Sequence, residues 1–182
     1  MEKFDDYYLK TIEKQDLIMY KKHIYIPKVL RERIMDPIGA SPTWRWHGYE
    51  NSWVTLDGQR IQVVSGGGHW GGGMFISSRD HARFGLLIQR DGKWRDRQLI
   101  SSDWIKAAGQ PADANSEYGY MWWLNTDGKY SEKAPKDSLM ARGFGGNHIY
   151  VDRENDLVIV VRWTQRFPKV IEKVLAALSS DK

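Results

Sequence analysis

The chain has 182 residues, 41% of them hydrophobic and 27% charged, with 27 Lys and Arg against 23 Asp and Glu for a formal charge of +4. No stretch approaches the roughly 18 consecutive apolar residues of a membrane helix, and the lack of cysteine excludes disulfides, thiolate catalysis and cysteine-held metals. Basic residues alternate with acids, as in RERIMD and RDGKWRDR, so they read as solvated faces and not as a nucleic-acid surface.

In chain order, residues 4–20 carry Phe4, Tyr8, Ile12 and Leu17 on one side of a possible helix, with a poor apolar stripe. The start, MEKFDDYYLK, has no apolar core of a secretory signal, so none is expected within the chain, and the compartment stays open. A second helix is marked from Pro27 by Val29, Leu30, Arg33 and Ile34, and ends at DPIGA. Residues 40–64 are rich in Trp and turn formers, and LDGQRIQVV predicts a short hairpin around Asp57-Gly58.

Next comes VSGGGHWGGGMFISSRD, in which six glycines, Gly66-Gly67-Gly68 and Gly71-Gly72-Gly73, bracket His69-Trp70. Ser77-Ser78-Arg79-Asp80 predicts a capped helix running to Gln89 and closed by Arg90-Asp91-Gly92. There Ala in place of Gly92 should cost about 1 kcal/mol. SSDWIKAAG predicts a shorter capped helix, and YGYMWWLN a buried strand. GNHIYVD and LVIVVRW, separated by Arg153-Glu154-Asn155-Asp156, predict an antiparallel hairpin with central-strand hydrophobicity. FPKVIEKVLAALSS closes the chain as an amphipathic helix with Pro168 near its start. Helices, then strands, then a helix indicate an α+β fold.

Four blocks in this order, VLRERIMDPIGAS, GGGMFISSRDHARFGLLIQRDGKWRDRQLISSDWI, YGYMWWLN and ARGFGGNHIYVDRENDLVIVVRW, resemble the serine β-lactamase-related family. That group contains class C β-lactamases, D-alanyl-D-alanine carboxypeptidases, family VIII-like esterases and 6-aminohexanoate-oligomer hydrolases. The resemblance implies the C-terminal part of a β-lactamase/transpeptidase-like fold, an antiparallel sheet covered by helices including a C-terminal one. It places residues 27–182 in that domain and leaves residues 1–26 as a segment unlike the family. It also implies a small-molecule acyl substrate if an N-terminal half complements the chain, with no cofactor and no metal.

The family's chemistry needs a Ser-x-x-Lys nucleophile and base, a Tyr-bearing proton-transfer loop, and a Lys/His-Ser/Thr-Gly strand facing the nucleophile. No serine precedes Pro27, and the only Ser-x-x-Lys spelling is Ser179-Ser180-Asp181-Lys182, so no credible catalytic residue is assigned. Tyr49-Glu50-Asn51 spells Tyr-x-Asn but falls after the Pro27 helix, where the family has it before, so Tyr49 reads as a packing residue. The third element has a candidate in Arg142-Gly143-Phe144-Gly145-Gly146-Asn147, which lacks the Lys or His. The resemblance puts Gly143, Phe144, Gly145, Gly146 and Asn147 on the substrate strand. One N–H, of Phe144 or Gly145, would donate to a developing oxyanion. The plain alternative is a bulge that needs glycine.

In relatives the glycine-rich segment runs beside the cleft, which makes His69 and Trp70 candidate wall residues. A phosphate loop is the competing idea, but the segment lacks Gly-x-x-x-x-Gly-Lys. His23, His47, His69, His81 and His148 show no paired metal-ligand spacing. Nine Trp raise a non-enzymatic alternative, a binding module whose Trp44, Trp46, Trp53, Trp70, Trp122 and Trp123 stack on ring ligands. Core packing accounts for most of them more simply, and Trp122-Trp123 in a strand must face opposite ways. A chain lacking the family's N-terminal strands should expose an edge and self-associate near YGYMWWLN or GNHIYVD.

Overall fold

The computed structural model describes residues 26–46, 53–56, 58–62 and 73–180. The readings made for residues 4–20, for Tyr49-Glu50-Asn51 and for His69 and Trp70 lie outside these. Helix α1 (Ile26–Leu30) begins beside Pro27 and widens into a π-helical stretch, Arg31–Met35. The chain then turns so that Met35, Ile38 and Trp44 pack on Leu87. Arg31 anchors that turn: its Nη2 donates to the Trp44 carbonyl at 2.9 Å, and its guanidinium lies 4.4 Å from the Trp44 ring centroid.

Three small antiparallel pairs follow. Strand β1 (Arg45–Trp46) pairs with β4 (Met74–Phe75), while β2 (Trp53–Leu56) pairs with β3 (Gln59–Gln62), forming the expected hairpin. Helix α2 (Ser78–Gln89) starts where the capping pattern predicts, with Ser77 Oγ accepting from the Asp80 N–H at 3.0 Å. After it, β5 (Lys93–Trp94) and β6 (Arg97–Gln98) form a hairpin that the sequence reading left out. Helix α3 (Ser102–Ala108) is capped by Ser101 and ends at Gly109, as predicted. Gly92 differs from expectation. A Cβ there would lie 2.1 Å from the Ile100 carbonyl oxygen, because Leu99 and Ile100 both donate to the Gly92 carbonyl. Its replacement should therefore cost well over the expected 1 kcal/mol.

The main sheet is antiparallel in the order β10-β9-β8-β7, with β7 (Trp123–Leu124), β8 (Leu139–Gly143), β9 (Asn147–Asp152) and β10 (Leu157–Val161). Alternation sorts β9 cleanly. Ile149 and Val151 face α2 and α3, meeting Ile88 and Ile105, whereas Tyr150 faces helix α4 (Phe167–Ser180) with its Phe167, Ile171 and Leu175. Trp122 and Trp123 go to opposite sides, as a strand requires. Helix α2 lies unusually close to the sheet at Gly85, where a Cβ would come within 2.6 Å of Val158 Cγ1 and 2.9 Å of Ile149 Cγ2. The result is an α+β architecture of helices on both faces of an antiparallel sheet, with the expected helix at the C-terminal end.

Two expectations are corrected. YGYMWWLN is a strand only at Trp123–Leu124. Before that the chain folds back on itself: Gly119 donates to the Trp122 carbonyl, and Leu124 to that of Glu117. Tyr120 and Met121 are thereby pushed out to 55% and 74% exposure. The second correction concerns GNHIYVD. It is flanked on both sides, by β8 and β10, so it offers no free edge; among the described residues β10 and the end of β8 beyond Met140 are open.

Candidate functional site

ARGFGGN reaches the first strand of the last hairpin only at Asn147, and its first three residues end the strand before. It closes an earlier hairpin, in which β8 pairs with β9 from Leu139↔Val151 to Gly143↔Asn147, leaving Phe144, Gly145 and Gly146 as the turn. The turn is glycine-dependent for two reasons. Gly145 and Gly146 both sit in the left-handed region, at φ 78° and 79°. At Gly146 a Cβ would also lie 2.3 Å from the Thr164 carbonyl oxygen, since Thr164 is tied to the turn by an N–H donated to the Gly146 carbonyl at 3.1 Å. Asn147 Nδ2 closes the loop from inside, donating to the Phe144 carbonyl at 2.7 Å.

The five candidate residues are thus brought together as a fixed loop, and two features matter chemically. The N–H groups of Phe144 and Gly145 donate to no acceptor among the described residues. In addition, β7 pairs only with Leu139 and Met140, so Ala141, Arg142 and Gly143 have β9 alone beside them among the described residues. The end of β8 is therefore an open edge leading into a turn with free donors. Phe144 is 80% exposed there, and Arg142 is held over the rings of Trp123 and Tyr130 at 4.7 and 5.1 Å from their centroids.

Ser179, Ser116 and Ser41 do not complete the picture. Ser179 Oγ donates to the Leu175 carbonyl at 2.9 Å on the last turn of α4, and Lys182 lies outside the described residues. Lys129 Nζ donates to Ser116 Oγ at 3.3 Å and also pairs with Glu117 at 3.5 Å, so Ser116 accepts from that ammonium and does not give it a proton. Ser41 Oγ donates to Asp80 at 2.6 Å. Burial alone would raise the Asp80 carboxyl, yet hydrogen bonds from Ser41 and Ser77 and the charge of Arg83 hold it below the usual carboxylate value, so it is a poor base. Asp80 instead ties the IGAS turn to the start of α2, through Ser41 N–H at 3.1 Å, Ser77 Oγ and Arg83 Nη1 at 2.9 Å each.

The described histidines are structural as well. His81 is pushed down to about 4 by burial and by the neighbouring Arg162, whose Nη2 lies 3.3 Å from His81 Nδ1 and also donates to the Ile76 carbonyl. His148 stacks on Phe167 with centroids 4.3 Å apart, its Nε2 is 3.2 Å from the Thr164 carbonyl, and burial lowers its pKa. Tyr150 is buried between Ser138 and Asp152, each 3.0 Å away, and burial raises its pKa. Among the described residues no group of three His, Asp or Glu side chains is placed to hold a metal ion, and no helix is long and apolar enough to cross a membrane.

The tryptophans divide. Trp44, Trp94, Trp122 and Trp123 join the core clusters, whereas Trp53, Trp104 and Trp163 are 44%, 55% and 77% exposed. Trp163 was not singled out in the sequence. It stands at φ 61° beside the turn, and a Cβ on Gly145 would lie 3.0 Å from its Cζ3.

No protein-family model matches the chain, and no curated protein matches it. Solved structures do. One, titled "putative beta-lactamase" from Bacteroides dorei DSM 17855, superposes with a TM-score of 0.51 at 12% identity, over 82% of this chain and 51% of that one. Another, titled "Putative 6-aminohexanoate-dimer hydrolase" from Bacillus anthracis, gives a TM-score of 0.42 at 22% identity, over 60% of this chain and 29% of that one. The chain thus spans about half of the first protein and less than a third of the second. The first likeness shows a fold shared with part of that protein.

Proposed function

We propose that this chain is the C-terminal portion of a β-lactamase-like serine hydrolase and that it supplies the oxyanion-binding turn of the site. The observation that carries this is the pair of free N–H groups at Phe144 and Gly145, on a rigid turn at the open end of β8. In the intact enzyme a serine hydroxyl from another segment attacks the carbonyl of an ester or amide, such as a β-lactam, a peptide or a short acyl ester. Its proton passes to a neighbouring base. The carbonyl oxygen becomes an oxyanion and accepts from these N–H groups, and collapse of the adduct expels the protonated leaving group. Water then releases the acyl group from the serine.

Alone, the 182-residue chain should bind without turnover, since Ser41, Ser116 and Ser179 have no competent base. The same observation favours a second reading, a non-catalytic binding module built on the same turn. With a nucleophile-bearing N-terminal half supplied in trans, Gly145→Val should abolish turnover. Loss of one oxyanion donor costs roughly 2.7–4 kcal/mol of transition-state stabilisation. Near-normal turnover by that variant in a folded complex would remove the turn from the mechanism. Absence of complementation, with the chain alone still binding acyl compounds at the turn, would select the binding module.

A further inference from the structure

Of the six described non-glycine residues with positive φ, three are aspartates, which tolerate the left-handed region, and Arg95 lies in the β5–β6 turn. Met121 and Trp163 are the apolar exceptions, and Trp163 is the one that stands on the candidate site. A bulky residue in this region is strained, and such strain persists only where neighbours impose it. Here the next residue imposes it: Thr164 is clamped by its N–H to the Gly146 carbonyl and by its own carbonyl to His148 Nε2. Packing does not repay the strain, because the indole is left 77% exposed. What the strain does is hold the six-membered edge of the indole against Gly145, with Cζ3 and Cε3 at 3.0 and 3.4 Å from where a Cβ would stand. Phe144, 80% exposed, precedes that glycine. Two exposed aromatic residues therefore adjoin the turn that carries the two free N–H groups.

We propose that Trp163 and Phe144 form an aromatic subsite that selects acyl compounds carrying a planar ring next to the carbonyl. The oxygen accepts from the turn N–H groups while the ring stacks on the indole, and an aliphatic acyl group gains only the hydrogen bonds. The proposal rests on the turn acting as an oxygen-binding site, and the probes separate the two ideas.

Backbone amide and indole NMR signals of the 182-residue chain would be followed while benzoate or acetate is added. Both ions should shift the Phe144 and Gly145 amides, with benzoate binding roughly tenfold more tightly, in line with one aromatic stacking contact plus its buried area. Trp163→Gly, which fits φ 61° without strain, should keep a dispersed spectrum and the acetate response while lowering benzoate affinity to that of acetate. Trp163→Phe should restore part of the preference. Equal affinity for the two ions in the unsubstituted chain overturns the aromatic subsite and leaves the oxygen-binding turn intact. Benzoate shifting the Trp163 indole N–H but neither amide overturns the oxygen-binding turn instead. A benzoate preference that survives in a folded Trp163→Gly chain overturns the assignment to Trp163.

Discussion

Gly145 and Gly146 look equivalent in the sequence and share the same backbone conformation, yet alanine should affect them very differently. At either position an alanine in the left-handed region costs roughly 1–2 kcal/mol. At Gly145 little is added, because the nearest atom to a new Cβ is Trp163 Cζ3 at 3.0 Å, a side-chain contact relieved by a shift of a few tenths of an ångström. At Gly146 the obstacles are backbone: the Thr164 carbonyl oxygen at 2.3 Å, with its carbonyl carbon and nitrogen at 2.8 Å. Relieving that overlap costs about 1–3 kcal/mol of packing strain. It also breaks the Thr164-to-Gly146 hydrogen bond, worth about 1 kcal/mol. Gly146→Ala should therefore lose about 3–6 kcal/mol and Gly145→Ala about 1–2 kcal/mol, read as urea midpoints at constant slope. Equal losses would mean that Thr164 does not lie over the turn, and the geometry assigned to the free N–H groups would fall with it.

Gly85→Ala should destabilise by about 1–3 kcal/mol, against the usual gain for such a change in a helix, because α2 has no room above Val158 and Ile149. A more stable Gly85→Ala chain in thermal unfolding would disprove the close approach of α2 to the sheet. His81 has its folded pKa lowered to about 4 from 6.5, so the unfolded chain binds more protons between those values. Stability should be full above pH 6.5 and fall by about 1–2 kcal/mol as pH drops toward 4, after allowing for partial solvent screening. His81→Gln should flatten that slope, and an unchanged slope would refute the assignment. The open edge of β10 carries Leu157–Val161 without a charge or proline, so the chain should self-associate at tens of micromolar. A single monomeric species in sedimentation velocity would contradict this.

What the sequence made legible was local. Ser77 and Ser101 cap their helices through an N–H three residues on, and β2 pairs with β3 across two residues; short sequence separations decide both. The fold class followed from the order of such elements. The misreadings came from contacts between residues far apart. YGYMWWLN has strand composition, but a Cβ at Gly119 would lie 2.1 Å from the Ala108 carbonyl, and the fold-back around that contact expels Tyr120 and Met121. ARGFGGN was expected at the start of the last hairpin, but its first three residues end the preceding strand, Leu139–Gly143, whose apolar run is too short to show a period of two. Asp80 drew attention only as part of a cap, and its tie to Ser41 spans 39 residues. Trp163 left no local signal, since what strains it is the clamp on Thr164 from Gly146 and His148.

The reading proposed above is that this chain supplies an oxyanion-binding turn and that none of its serines acts as the nucleophile, and a fluorophosphonate probe examines that directly. Such a probe phosphonylates a serine only where a base removes its proton and donors receive the developing charge. After prolonged incubation of the 182-residue chain with excess probe, intact-mass spectrometry should show the unmodified mass, and hydrolysis of a chromogenic cephalosporin or a p-nitrophenyl ester should stay at background. A stoichiometric adduct mapped to a single serine would contradict the account.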